Sequence, residues 1–288
     1  MQAQRQVKTL AGRPSTPDVG ILSFFLQEVK TEIETKLSIL ATTRGQLEPI
    51  SITNIFPVFP LLPALQEDDI RDALQHVGLD WQTADRQLPS HIYYETNAAL
   101  AGYGLGLCPS WNDMRACAGE LARMDFQHIL FLNFDSASFS VSLQYIQTAN
   151  QQWGFHASAL DTALGWDSLP LDEIARAKFW ARIQERIVEV AGTIYKPKKV
   201  VLLGKEGCGE EFVQVVVGAL EELDISTEAL VVGKGTNGWM APARGAAELA
   251  GRREWQKWIP NRNWQEWIHE RKWQKWTYEK KVDEVLEL

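Results

Sequence analysis

The chain has 288 residues, 45% hydrophobic and 23% charged, with a net charge of −8. That is enough for one large or two small domains with proper cores, and it excludes disorder along the whole length. No apolar run approaches the ~18 residues of a membrane-spanning helix, and the polar opening Met1–Gln6 lacks the apolar core of a secretory signal. A cytoplasmic or nuclear protein, not a secreted one, is therefore expected. Cysteine is scarce and odd in number (Cys108, Cys117, Cys208), so reduced thiols are expected and a disulfide framework is not. The five histidines (76, 91, 128, 156 and 269) never fall at metal-ligand spacing with one another or with a cysteine, and no metal site is expected.

In chain order, residues 1–18 are polar, contain Arg-Pro-Ser-Thr-Pro and read as a disordered lead-in. Asp18 can cap a helix running to about Leu40, with Ile21, Leu22, Phe25, Leu26, Val29, Ile33 and Leu37 at spacings of three and four. Pro49–Phe56 reads as a β-branched strand, followed by a rigid loop holding Pro57, Pro60 and Pro63. Glu67–Val77 is a predicted helix with Gly78 at its C-terminal cap. Ser90–Tyr94 is a short strand running into an alanine-rich helix, Glu95–Leu105. Next come strands His128–Phe134 (buried), Phe139–Ile146 (alternating, half-exposed) and Gln152–Ala159. Helix Leu171–Val190, buried strand Lys199–Leu203, helix Glu210–Leu223, strand Ala229–Val232 and helix Ala241–Arg253 complete the body. The second half is βββαβαβα and the first is αβαβα, the same order without its opening strands. The alternation implies parallel pairing in α/β layers.

That internal echo resembles the superfamily of actin, the sugar kinases and the seventy-kilodalton heat-shock chaperones, in which two ribonuclease-H-like domains face each other across a nucleotide cleft. Glu-Thr-Asn-Ala-Ala-Leu-Ala-Gly-Tyr-Gly-Leu-Gly (95–106) is similar to the chaperones' first connecting helix, and Ala-Arg-Gly-Ala-Ala-Glu-Leu-Ala (243–250) to the second. Asn-Phe-Asp-Ser-Ala-Ser-Phe-Ser-Val-Ser-Leu (133–143) resembles the second phosphate-binding hairpin, and Val-Val-Leu-Leu-Gly-Lys-Glu-Gly (200–207) the adenosine-binding turn. The likeness spans roughly residues 19–253 and is nearest to the diverged actin-like ATPase-domain proteins of filamentous fungi. It implies a truncated domain I over 19–108, a domain II over 109–253 and a tail over 254–288. Ala98, Ala99, Gly102, Gly104, Gly245, Ala246 and Ala247 would let two hinge helices cross closely, since small residues permit near backbone contact.

The departures from the family bear on function. The first phosphate hairpin has no counterpart. Asn133 stands where the family has an Asp, and Asp135, Ser136 and Ala137 stand where it has glycines that let backbone N–H groups reach phosphate. A carboxylate ~4 Å from a phosphate charge, at an effective dielectric of ~20, is repelled by about 4 kcal/mol, roughly a thousandfold in affinity. Lys205 and Glu206 replace a glycine and a small polar residue in the adenosine turn. Glu95 matches the chaperones' catalytic glutamate, with capping of the hinge helix as its plainer role. Residues 204–211 read as a turn leading into a glutamate-rich helical start, and Asp68–Asp69 and Glu221–Glu222 as solvated charge. The resemblance thus implies a non-catalytic pseudo-ATPase without a cofactor, acting as a chaperone-like accessory through a protein partner or self-association. An unpaired edge at Ile50–Phe56 would invite that partner. The alternatives are a weak Mg-ATP-binding or hydrolysing enzyme using Glu95, Ser138, Gly204 and Gly207, and an incomplete or decayed gene product.

Residues 252–281 hold nine Lys/Arg against four Glu, and with them six of the twelve tryptophans. They form a nonapeptide repeat carrying Trp255 and Trp258, Trp264 and Trp267, then Trp273 and Trp276. Nine residues are about 2.5 helical turns, so successive pairs fall on opposite sides of a helix. Three readings stay open: an expansion without selected function, a partner-binding segment with tryptophan anchors, and a membrane-surface segment. Nucleic-acid contact through stacked tryptophans is a variant of the second.

Overall fold

The computed structural model describes Arg5, Lys8 and residues 11–43, 50–60, 66–81, 93–192, 195–207, 209–231 and 238–257. Contacts divide the chain into Met1–Ala250 and Gly251–Leu288. Helix α1 (Pro17–Thr43) forms where expected and runs past Leu40, but Ile21, Phe25 and Ile33 of its predicted apolar stripe are exposed. Its Leu22 and Leu26 pack on a small core of Phe59, Ile70, Leu74 and Leu79, while Ile21, Phe24, Phe25, Ile39 and Leu40 face outward. Of the expected strand over Pro49–Phe56 only β1 (Asn54–Ile55) forms, and a second short strand, β2 (Val58–Phe59), lies in the stretch expected to be a rigid loop. Pro57 lies between them and has no N–H to give to a ladder.

Helix α2 (Glu67–His76) buries Ile70, Ala73 and Leu74, and Gly78 follows at φ +68°. Strand β3 (Asp80–Trp81) pairs in parallel with β1, and β4 (Tyr93–Tyr94) pairs in parallel with β2. Within Ile50–Phe56, the segment expected to lack a neighbour, Asn54–Ile55 therefore has one in β3. Two-residue β3 carries no periodicity and was invisible in the sequence. The described part of the lead-in is tied down rather than disordered. Arg5 pairs with Asp69 and with Asp72, the latter at 3.1 Å. The Ser15 hydroxyl donates to Asp72 at 2.7 Å. Asp69, expected as solvated charge, is thus half of an ion pair.

Helix α3 (Glu95–Gly102) and helix α4 (Met114–Ala122) precede the main sheet. The unanticipated α4 is capped by the Asp113 carboxylate, which accepts from the Arg115 and Ala116 N–H groups. It brings Cys117 to Cys108, Cα to Cα 5.1 Å, as a disulfide. The expectation of reduced thiols is overturned at this pair: the turn before α4 folds the helix back, so both cysteines sit buried side by side.

The sheet contains β5 (Gln127–Phe134), β6 (Phe139–Thr148), β7 (Gln151–Asp161), β8 (Lys199–Leu203) and β9 (Leu230–Val231), in the order β7-β6-β5-β8-β9. β6 is antiparallel to both its neighbours; β5, β8 and β9 run parallel. Helix α5 (Glu173–Ala191) links β7 to β8, α6 (Glu210–Glu222) links β8 to β9, and α7 (Ala241–Lys257) follows. The chain is thus a mixed, alternating α/β fold with several sheets.

Residues alternate along β5 between two cores. Leu130, Leu132 and Phe134 join Phe179, Ile183 and Ile187 of α5 and Phe212, Val216 and Leu220 of α6. Ile129 and Phe131 join Ala99 and Leu100 of α3 with Ala241 and Leu249 of α7. Each buried Leu, Ile or Phe contributes roughly 1.5–3 kcal/mol, which makes β5 the organising strand. β6 is more buried than expected, with even Ser142, Gln144 and Thr148 enclosed, because helices cover both its faces. Two histidines that sequence spacing keeps apart meet across the sheet, His128 Nε2 lying 3.1 Å from His156 Nε2. No helix among the described residues is long and apolar enough to cross a membrane.

Helices α3 and α7 touch backbone to backbone. A Cβ on Gly245 would lie 1.6 Å from the Ala98 carbonyl oxygen, and one on Gly102 would lie 2.0 Å from that of Ala241. Gly245→Ala should therefore cost at least ~2 kcal/mol, despite the ~1 kcal/mol that alanine adds to a helix. Gly119→Ala, on α4 with nothing within 4 Å, should stabilise by ~0.5–1 kcal/mol. Urea melts of the two variants check the contrast. Reducing Cys108–Cys117 opens a loop nine residues long in sequence separation and should lower stability by roughly 2–3 kcal/mol. Melts with and without reductant, with thiol alkylation read by mass, measure it.

Candidate functional site

The C-terminal ends of β5 and β8 lie side by side, and the start of α3 meets them there. Asn133, near the end of β5, donates from Nδ2 to Glu95 Oε1 at 3.1 Å. Its Oδ1 is buried without a hydrogen-bond partner. A Cβ at Gly204, just past β8, would come within 2.5 Å of that Oδ1 and 2.3 Å of the Phe134 carbonyl oxygen. Gly204 also has φ +85°, so both space and backbone conformation demand glycine.

The turn 204–207 closes over the end of β5. The Lys205 N–H donates to Asp135 Oδ1 at 3.0 Å, and the Glu206 N–H to the Phe134 carbonyl at 3.2 Å. Loop 135–138 is closed in turn. Asp135 N–H donates to Ser138 O, Trp166 N–H to Asp135 O, and Asp167 N–H to Ser136 O. Gly165 packs so tightly on Ser136 and Ala137 that a Cβ there would lie 2.4 Å from the backbone of each. The Gly165–Asp167 contact was missed in the sequence. Its only signal is a glycine ahead of a tryptophan in a loop.

Electrostatics sharpen the picture. Burial, and secondarily the Asp135 charge, push the Glu95 carboxyl up to about 7. Glu95 does not cap α3 as expected: Tyr94 is the cap residue and makes no side-chain cap bond, while the Glu95 carboxyl turns to Asn133. A partly protonated carboxyl gives little to a helix dipole, and the buried amide of Asn133 needs an acceptor. Lys205 Nζ lies 3.9 Å from Glu206. The glutamate-rich start of α6 is confirmed, with Glu211 held by Arg176 at 2.7 Å and by Trp180 Nε1 at 2.9 Å.

The structure thus gathers Glu95, Asn133, Asp135, Gly204 and Lys205, with Ser136, Ala137, Ser138 and Gly207 in the two flanking turns. Of the other residues singled out, Ala98, Ala99, Gly102 and Gly245 lie at the helix crossing. Ala246 is half-buried, and Gly104 and Ala247 are exposed beside it. Trp255 falls within α7; Trp258, Trp264, Trp267, Trp273, Trp276 and Cys208 lie outside the described residues. Among the described residues no group of three or more His, Cys, Asp or Glu side chains could hold a metal ion. Compared with family models and with curated proteins, the chain matches none.

The Glu95 shift has a measurable consequence. Its native carboxyl binds a proton more tightly than the unfolded one, whose usual value is 4.5. Its neutral form favours folding below pH 4.5, and that benefit is lost as pH rises toward 7, amounting to about 3 kcal/mol. Glu95→Gln keeps an acceptor for Asn133 and cannot ionise. It should remove this decline and be the more stable form at pH 8. Equal slopes of stability against pH for the two proteins would contradict the assignment.

Proposed function

We propose that the chain is a diverged actin-like pseudo-ATPase that works by association, as a chaperone-like accessory protein, rather than by hydrolysis. The sheet order β7-β6-β5-β8-β9 with only β6 reversed is what a ribonuclease-H-like domain requires, and the glycine-mediated contact of α3 with α7 suits a hinge of that family. The observation that carries the reading is Asp135. Its carboxylate already accepts the Lys205 N–H, so an internal anion stands where the family places phosphate. The closed loop 135–138 leaves no glycine backbone to replace it.

Support for association comes from α1, whose Ile21, Phe24, Phe25, Ile39 and Leu40 are more than half exposed on a helix whose opposite side is packed. Large apolar side chains gathered on one outward face favour a protein partner or a second copy. A specific observation favours the rival, a weak ATPase. Glu95 has the near-neutral carboxyl expected of a general base. A cytoplasmic or nuclear place belongs to the same proposal, and the Cys108–Cys117 bridge counts against it, because disulfides persist in oxidising compartments.

Calorimetric titration with Mg-ATP and Mg-ADP separates the two readings. The pseudo-ATPase reading expects no binding heat and no rise in melting temperature at millimolar nucleotide. Micromolar binding, with turnover abolished by Glu95→Gln, would establish the rival. A solitary monomer across the accessible concentration range, with no partner in cross-linking, would remove the association half of the proposal.

A further inference from the structure

We infer that His128 and His156 form a two-imidazole binding site for a divalent late-transition-metal ion of the copper–nickel–zinc class. The pair lies at the N-terminal end of β5, the opposite end of that strand from Asn133, and plays no part in the nucleotide-site argument. Several independent features bring the two rings together. His128 on β5 is in register with Tyr145 on β6, and Tyr145 is in register with Gly154 on β7. Strands two apart in a sheet are ~9.5 Å apart, so the two imidazoles must lean over Tyr145 to meet. Gly154 presents no side chain opposite Tyr145. The β6–β7 register slips at Leu143/Gln144, which face Ala157 and Phe155 and leave His156 as the extra residue. Such bulges redirect a side chain, and here the redirected group is an imidazole.

The rings are then held by aromatic contacts. Tyr195 stacks on His128 at 4.7 Å and 15°, and lies 4.4 Å from His156. Tyr145 lies 4.9 Å from His128 and edge-on to His156 at 6.1 Å. Phe126 stacks behind Tyr145 at 4.9 Å. This orientation is fixed before any ion arrives, so binding costs little side-chain ordering.

The Nε2 atoms are 3.1 Å apart. An ion about 2.0–2.1 Å from both would subtend an angle of roughly 95–102°, between the cis angle of a square site and that of a tetrahedron. Without metal, one neutral ring donates its Nε2–H to the other. Binding moves that proton to Nδ1 of the same ring, a tautomer change with no net charge lost. Burial lowers the His128 pKa, with smaller contributions from His156 and then Lys198. Among the described residues, Lys198, Tyr145 and Tyr195 face the pair. Lys198 is exposed and opposes the ion weakly through solvent. With two protein ligands, the remaining coordination positions open to solvent, and the order of affinity is copper above nickel and zinc.

The test uses the full chain titrated with Cu²⁺ alone and with Zn²⁺ alone. Calorimetry measures affinity, and electron paramagnetic resonance of the copper form reports how many imidazole nitrogens are bound. The expected result is one ion at equatorial coordination by two imidazoles, weakened at least tenfold by His156→Gln, which alters an exposed residue and leaves the core intact. Lys198→Glu should tighten binding severalfold, a change that loss of folding could not mimic. Equal uptake by wild type and His156→Gln would overturn the site, because it would locate binding at other histidines. No uptake at millimolar zinc would overturn it too, reducing the pair to an N–H···N hydrogen bond.

Discussion

β5 is enclosed on both faces, and its register governs both ends of the molecule's chemistry. Leu130, Leu132 and Phe134 point into one core and Ile129 and Phe131 into the other. A slip of one residue would exchange the two sets and leave both cores mismatched. With that register set, Asn133 must arrive beside Glu95 and Gly204 at one end, and His128 beside Tyr145 and His156 at the other. The parallel pairing of β5 with β8 then carries Gly204 and Lys205 to the same edge as Asp135.

At the Asn133 end the fold tolerates an expensive arrangement. A buried amide oxygen has no partner, a carboxyl is pushed to about 7, and a second carboxylate stands close enough to push it. Such features usually accompany a binding or catalytic role. Here they are enclosed by backbone bonds from Lys205, Glu206, Trp166 and Asp167.

The helix crossing and the disulfide act on the same frame. Gly245 and Gly102 let α3 and α7 approach until their backbones touch, which sets where Glu95 begins. Cys108–Cys117 staples the segment between α3 and α4, so the path from the crossing into β5 is braced just before the strand enters the sheet. Helix α1 packs through Leu22 and Leu26 on a third, smaller core, with Ile21, Phe24, Phe25, Ile39 and Leu40 turned outward.

Periodicity and composition alone were sufficient for the long elements: α1, α2, β5, β8, α5, α6 and the start of α7 lie where apolar spacing, glycine and proline put them. The grouping of Glu95, Asn133, Asp135 and Gly204 came instead from the resemblance of their motifs to a nucleotide-binding family, and neither periodicity nor composition joins them. Spacing along the chain carries no information about partners contributed from elsewhere in it. β1 acquired its partner from a two-residue strand without any pattern, and Arg5 found Asp69 and Asp72 more than sixty residues on. Cys108 and Cys117 were joined by a helix no periodicity announced. The His128–His156 contact needed a bulge, a glycine and two strand pairings at once. Local rules set which segments become helix or strand because those depend on near neighbours. Which side chains meet was decided by the stacking of strands and the burial of both sheet faces, a property of the whole chain.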